Sequence, residues 1–315
     1  MALPQAAALL AASLTLAVSA AAALADPPAA ASRGPVSSGL TGPATVVSPP
    51  KTTPSGSEAL DVSLSPECRV PGSKLYTLAR LGAVKLALKE KRPVRVLTVG
   101  GSSAGLGASA TYPVKLETAL ERSLPNVDVV VESRGMQGEI ASGAAERLRN
   151  MVAELEPDLV IWQVGTHDAL ARVDADVFAT ALAETVQWIK GHEIDVVLVN
   201  PVYTASLADD EYYTSLVRKV QEVAEHEGVP LVQRYEAMRY LSGLSQKGEG
   251  HLLGSQFRLN ELGLRCMAEH VTRAITLSLL QADPGAPLAP VIVPPRDAAA
   301  KAASPPPSIL VRPGD

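Results

Sequence analysis

Residues 94–107 read VRVLTVGGSSAGLG, an apolar, β-branched run that ends in a glycine-rich turn. Apolar runs without alternation are typical of strands that are buried on both faces of a parallel sheet. In such sheets the turn after a strand leads into a helix, and ligands bind beside these turns. The stretch therefore predicts a central strand and the first loop of a candidate site.

The same alternation of strand and helix continues along the chain. Further strands are predicted at residues 127–131, 159–162, 196–199 and 229–232, and helices at residues 112–124, 141–155, 177–190, 211–227 and 260–280. Buried strands that alternate with helices indicate an α/β fold whose parallel sheet is covered on both faces. We therefore expect a candidate site in the loops that follow the strands, at residues 100–110, 133–138, 165–168 and 200–203.

The composition is that of a folded domain with an apolar core. Of the 315 residues, 47% are hydrophobic and 19% are charged, and the net charge is −5. Because nucleic-acid binding needs clustered Lys and Arg, we expect no nucleic-acid partner. Two cysteines are too few for a four-thiolate zinc site, and no other residues have the spacing of zinc or calcium ligands. We therefore expect no metal and no cofactor.

Both ends of the chain differ in composition from its centre. The first 25 residues carry no charged side chain and end in Ala-Leu-Ala, which predicts a signal peptide with cleavage after Ala25. An uncleaved membrane anchor is the alternative. Residues 26–59 and 283–315 are rich in Pro and Ala, which predicts a disordered linker and tail around a domain at residues 60–282. We expect a secreted or periplasmic protein without a stable membrane span once the signal peptide is removed.

The turn at residues 100–107 admits several interpretations. A phosphate-binding P-loop is excluded because Leu106 stands where that motif has Lys. A dinucleotide-binding site would use residues 105–110, with Glu132 as the ribose ligand. A nucleophilic serine at a strand-to-helix turn is a further interpretation, since the pattern Gly-x-Ser-x-Gly spans residues 101–105. The remaining interpretation is a turn that only closes the packing between strand and helix.

Three segments together resemble a known family. They read GGS at residues 100–102, SRGMQGE at residues 133–139 and GTHD at residues 165–168. In this order they resemble the first three blocks of the SGNH/GDSL hydrolases, and the resemblance covers essentially the whole folded domain. It implies a flavodoxin-like three-layer α/β/α sandwich and serine-dependent hydrolysis of acyl or carbohydrate esters, here in the cell envelope. The partner it implies is a small-molecule or glycan ester.

The resemblance assigns roles to individual residues. Ser102 lies at the position of the nucleophile, and its neighbours Gly101 and Ser103 are expected to contact the substrate. Gly138 lies at the position whose amide donates to the oxyanion. His167 replaces the asparagine that supplies another oxyanion donor, and Asp168 completes this block.

The last block of the family departs from its pattern in this chain. Ser255 and Arg258 stand where the family has its catalytic Asp and His. Arg258 cannot act as a base, because a guanidinium stays protonated. His251 or His167 would have to act as a surrogate base, while Arg258 would bind substrate. The alternative function is a catalytically impaired SGNH fold that binds an envelope glycan or acyl-glycan, with Arg258 contacting an anionic group.

Cys68 precedes the first helix of the domain, and Cys266 lies in its last helix. In an oxidising compartment this placement favours a disulfide that joins the two ends of the fold. The alternative is two unpaired cysteines, one of them buried as a small apolar side chain.

Overall fold

A sheet of six strands organises the residues that the computed structural model describes, which are 60–101, 111–124, 126–244, 252–253 and 257–282. The strands are β1 (Tyr76–Thr77), β2 (Val94–Val99), β3 (Val129–Ser133), β4 (Leu159–Gln163), β5 (Asp195–Val199) and β6 (Leu231–Val232). The described residues belong to one unit, residues 56–315. The predicted signal peptide, linker and tail lie outside the described residues.

The strand order is β1-β6-β5-β4-β2-β3. Strands β2 to β6 are parallel, and their order β3-β2-β4-β5-β6 is that of flavodoxin. The predicted flavodoxin-like α/β fold is confirmed. One edge of the sheet departs from the parallel arrangement, since Tyr76 and Thr77 pair antiparallel with β6. This edge strand is not joined to its neighbour by a helical crossover, so nothing imposes the parallel direction on it.

Helices cover both faces of the sheet. They are α1 (Gly82–Glu90), α2 (Tyr112–Ser123), α3 (Ala141–Leu155), α4 (Thr166–Leu170), α5 (Ala175–Gly191), α6 (Glu211–Glu227), α7 (Arg234–Leu244) and α8 (Glu261–Leu279). Helices α3, α5 and α6 pack on the face that includes Leu97 and Leu198. Helices α1, α2 and α8 pack on the opposite face, which includes Val96 and Val197. The three layers of the sandwich follow from this alternation along each strand.

The predicted second strand is displaced by two residues from the observed β3. Asn126, directly before the predicted start, has a left-handed φ of 66° and belongs to a turn. The carbonyl of Asp128 then accepts a hydrogen bond from the amide of Val94 at 2.9 Å. Regular pairing with β2 begins only at the next residue, Val129.

Helix α7 was not predicted from the sequence, although it carries an amphipathic pattern. Its buried residues include Tyr235, Met238 and Leu241, which recur at helical spacing. Met238 and Leu241 pack in a third apolar cluster together with Cys68 and Cys266. Tyr235 packs instead in the cluster that includes Leu97 and Leu198. The structure joins these two cysteines in a disulfide, with their Cα atoms 5.1 Å apart.

His270 forms a buried hydrogen bond in the same region. Its side chain is 4% exposed, and its Nε2 atom lies 2.7 Å from the carbonyl oxygen of Cys68. Since a carbonyl only accepts, Nε2 carries the proton. The segment before α1 is thus held to α8 by a disulfide and a buried hydrogen bond.

Strand β3 forms one edge of the described sheet. The amide of Val131 points away from β2 and donates to Oε2 of Glu117, on α2, at 3.0 Å. A side chain of the neighbouring helix therefore satisfies a backbone donor that the edge strand would otherwise expose.

Within the described ranges, none of the helices combines the length and the apolar character needed to cross a bilayer.

Candidate active site

Glycine-containing turns meet at the carboxyl ends of β2, β3 and β4. A Cβ atom added to Gly100 would lie 1.9 Å from the carbonyl oxygen of Gln163, the last residue of β4. A Cβ atom added to Gly135 would lie 2.7 Å from the carbonyl oxygen of Gly101. Only glycine allows these approaches, because a side chain would push the strand ends apart. The turns therefore converge between β2 and β4, where the order of the strands reverses and α/β folds bind ligands.

A cavity opens at this point of convergence. Among the residues that line it are Gly101, Gln163, His167, Arg234 and Arg258. Gln163 ends β4, and the others come from the segments after β2, β4 and β6 and from the segment before α8. Residues distant in the sequence are thus brought together at the edge of the sheet predicted to carry the site.

His167 and Gly138 face each other at this site. The amide of Gly138 donates a long hydrogen bond to Nε2 of His167, with 3.4 Å between the nitrogen atoms. The proton of the neutral ring is therefore on Nδ1. Burial lowers the pKa of His167, and the positive charge of Arg234 lowers it further, against the opposing effect of Asp168. A lowered pKa keeps the ring neutral near pH 7, the form in which it can accept a proton.

Asp168 holds the two loops in position. Its side chain is buried, and Oδ1 accepts a hydrogen bond of 2.7 Å from the amide of Ala141, the first residue of α3. Ile140 at the N-cap of that helix supplies no side-chain hydrogen bond, so Asp168 takes the role of a capping residue from another loop. Burial raises the pKa of Asp168, opposed by the hydrogen bond from Ala141. Asp168 thereby couples the loop of His167 to the helix that follows Gly138.

Arg258 reaches the cavity from a constrained turn. Phe257 before it has a φ of 56°, which is uncommon for a residue with a bulky side chain. An isolated bridge pairs Leu253 with Leu259, and the amide of Asn260 donates to the carbonyl of Leu252 at 3.0 Å. These contacts hold the backbone directly after Arg258, and its side chain lines the cavity.

The chain matches a known protein family. The family model of the non-GDSL lipase-like family matches residues 67–279, more than half of the chain. The chain belongs to this family. No curated protein matches the sequence closely enough to be considered a relative. The predicted relation to SGNH/GDSL hydrolases is confirmed by the family match and by the solved structures with the same fold.

Two solved structures illustrate how the non-GDSL lipase-like domain compares with known esterases. A two-domain esterase active on acetylated mannans superimposes with a TM-score of 0.54 at 18% identity, over 69% of this chain and 60% of the esterase. A catalytic mutant of an acetylxylan esterase from Geobacillus stearothermophilus superimposes with a TM-score of 0.51 at 18% identity, over 60% of this chain and 97% of the enzyme. The chain thus spans less than two thirds of the first esterase. At these identities the likeness shows the fold alone.

Several predicted site residues of the non-GDSL lipase-like domain lie outside the described residues. They are Ser102, Ser103, His251 and Ser255, together with the possible nucleotide site at residues 105–110. Their roles stay predictions. Glu132, the possible ribose ligand, is exposed on β3 and lies 4.0 Å from Arg134.

Sequence reasoning missed Gln163 and Arg234. The side chain of Arg234 is bound on two sides, with Nε donating to the carbonyl of Asn200 and Nη1 donating to Oε1 of Gln163, both at 2.9 Å. A signal was available, because Arg234 follows β6 by two residues and therefore lies at the carboxyl end of a parallel strand. Gln163 ends β4 in the same way.

Proposed function

We propose that this domain is an exported SGNH-type serine hydrolase that acts on acyl or carbohydrate esters in the cell envelope, with Ser102 as its nucleophile. The observation that carries the proposal is the convergence of Gly101, Gly138 and His167 at the carboxyl ends of β2 and β4. Gly101 immediately precedes the candidate nucleophile in the sequence.

The chemistry assigns a task to each group. A serine hydroxyl becomes an effective nucleophile when a base takes up its proton. His167 is suited to this task because its ring is held neutral, and His251 is the other candidate. When Ser102 attacks an ester carbonyl, negative charge develops on the carbonyl oxygen, and the amide of Gly138 is a suitable donor to it. For this donation the amide must exchange its bond to His167 Nε2 for a bond to the oxyanion.

Two proteins with the same fold are esterases of acetylated carbohydrates. One is active on acetylated mannans, and the other is an acetylxylan esterase. This makes acetylated glycans the first substrates to test. An envelope location rests on the predicted signal peptide, and N-terminal sequencing of exported protein should begin at Asp26.

The direct test measures hydrolysis of p-nitrophenyl acetate by the full chain and by Ser102→Ala, with Ser103→Ala as the matched control. We expect Ser102→Ala to abolish turnover and labelling by a fluorophosphonate, and Ser103→Ala to keep both. Labelling that survives in Ser102→Ala but not in Ser103→Ala would move the nucleophile by one residue. No turnover of any ester by the folded wild type would remove the proposal.

The second candidate function is a glycan-binding SGNH fold without turnover. It is favoured by the presence of Arg258 where the family has its base, since losing the base of a serine triad costs up to about 10⁶-fold in rate. The paired substitution Ser255→Asp with Arg258→His restores the family pattern. We expect it to raise p-nitrophenyl acetate hydrolysis, and the absence of a gain would show that the rest of the site no longer supports the family mechanism.

A further inference from the structure

Arg234 is a buried cation at the candidate active site. Its side chain lines the cavity, yet the residue is only 6% exposed. It begins α7, directly after the turn that leaves β6. The guanidinium therefore carries its charge into a region that excludes most water.

The charge of Arg234 is not matched by a carboxylate within the described residues. Its hydrogen-bond partners are two neutral oxygen atoms, on Asn200 and Gln163, and none of the ion pairs of the described ranges includes it. Burial lowers the pKa of Arg234 to about 10. A buried cation with only neutral partners is unfavourable for folding, and a bound anion would offset this cost.

Glu139, a carboxylate in the cavity lining, is already paired with an arginine. Glu139 accepts two hydrogen bonds from Arg147, of 2.6 Å to Nε and 3.2 Å to Nη2. This bidentate pair satisfies both oxygen atoms of Glu139. The negative charge of Glu139 is thus paired with Arg147.

A second guanidinium, that of Arg258, lines the same cavity. Phe257 before it has a left-handed φ of 56°, and Leu259 after it pairs with Leu253. A guanidinium presents a planar fork of donors that matches the two oxygen atoms of a carboxylate. Two such groups on one cavity favour a carboxylate over a neutral sugar hydroxyl.

We propose that this cavity binds a carboxylate of the substrate through Arg234 and Arg258, so that the domain prefers acidic esters to neutral ones. The proposal rests on the proposed function for its kinetic part only. The carboxylate could belong to the acyl group, as in a half-ester of a dicarboxylic acid, or to the alcohol, as in an acetylated uronic acid. Both sources present the same planar anion.

The kinetic test compares esters that differ in charge, using the full chain. For the acyl side the pair is mono-p-nitrophenyl succinate and p-nitrophenyl butyrate, and for the alcohol side it is O-acetyl galacturonic acid and O-acetyl galactose. We expect kcat/KM to be at least tenfold higher for the acidic member of one pair, and the responding pair identifies the source. Equal or lower kcat/KM for the acidic member of both pairs would overturn the proposal.

Variants connect the preference to the arginines. Arg258→Gln should reduce the acidic-to-neutral ratio at least fivefold, and Arg258→Lys should keep part of it. The matched control is Arg239→Gln, which removes the same charge from an exposed position on α7 that pairs with Glu236. It should leave the ratio unchanged. A ratio that falls equally in Arg239→Gln and Arg258→Gln would assign the preference to overall charge and overturn the proposal.

A binding experiment separates this proposal from that of hydrolysis. Calorimetry of Ser102→Ala with galacturonate or succinate, against galactose as the neutral reference, measures anion binding without turnover. Binding that Arg258→Gln weakens at least fivefold supports the anion site even in a protein without esterase activity. Hydrolysis of neutral esters without anion binding or acidic preference would leave the hydrolase standing and remove the anion site. If circular dichroism shows that Arg234→Gln is folded, its anion binding tests the contribution of Arg234. If this variant does not fold, the Arg258 variants alone test the proposal.

Discussion

Gly101 illustrates how a single residue sets the local geometry of the site. It has a φ of 67°, and an added Cβ atom would lie 2.8 Å from Oε1 of Gln163, which is held by Arg234. Gly101 stands where GDSL enzymes have their Asp, so Gly101→Asp restores the family residue. We nevertheless expect a loss of about 1–3 kcal/mol in the free energy of unfolding, because backbone strain and crowding add.

Gly138 provides the control for this substitution. Its φ is 79°, but an added Cβ atom would meet nothing within 4 Å. Gly138→Asp therefore introduces the backbone strain without the crowding. Urea unfolding should show a smaller loss in the free energy of unfolding for Gly138→Asp than for Gly101→Asp. Equal losses in the two variants would mean that the contact with Gln163 has no energetic weight.

The disulfide between Cys68 and Cys266 acts at the scale of elements. It joins the segment before α1 to α8 across a sequence separation of 198 residues. In the chain-entropy model, closing so long a loop stabilises the fold by roughly 3–5 kcal/mol. We expect the double substitution to Ala to lower the free energy of unfolding by about this amount, measured with urea. Reductant should destabilise the wild type and leave the double variant unchanged; an effect of reductant on both would point to another cause.

The elements also show what sequence can and cannot predict. Helices α3 and α6 begin and end at the residues that their apolar periodicity predicts. Strand β1 has two residues, too few for any periodic signal, and exists only because β6 offers a free edge. Arg234 and α7 were missed although the sequence carries a signal for each, the end of β6 for Arg234 and the amphipathic spacing for α7. The loops around Gly101, Gly138 and His167 were predictable, since glycines at strand ends mark the places where backbones must approach.

Over the whole molecule, the lowered pKa values of two histidines, the buried His270 and the partly buried His167, make stability depend on pH. Burial lowers the pKa of His270 and of His167, so the unfolded chain binds more protons than the folded one just below pH 6.5. Stability should therefore fall as the pH drops through this range, by at most about 1.4 kcal/mol per pH unit for each group. His270→Gln keeps a donor for the carbonyl of Cys68 and should flatten the dependence in urea unfolding between pH 7 and pH 5.

The bond from the Val131 amide to Glu117 has a consequence for the protein in concentrated solution. Strand β3 is the edge at which a second molecule could add its own strand, and Glu117 occupies a donor that such an addition would need. Glu117→Ala would free that donor and remove a negative charge that repels a copy of the same acidic chain. We expect the variant to self-associate at concentrations where the wild type is monodisperse, as measured by light scattering, while Glu121→Ala on the same helix does not. A carboxylate that accepts one backbone hydrogen bond within a molecule would then also keep separate molecules apart.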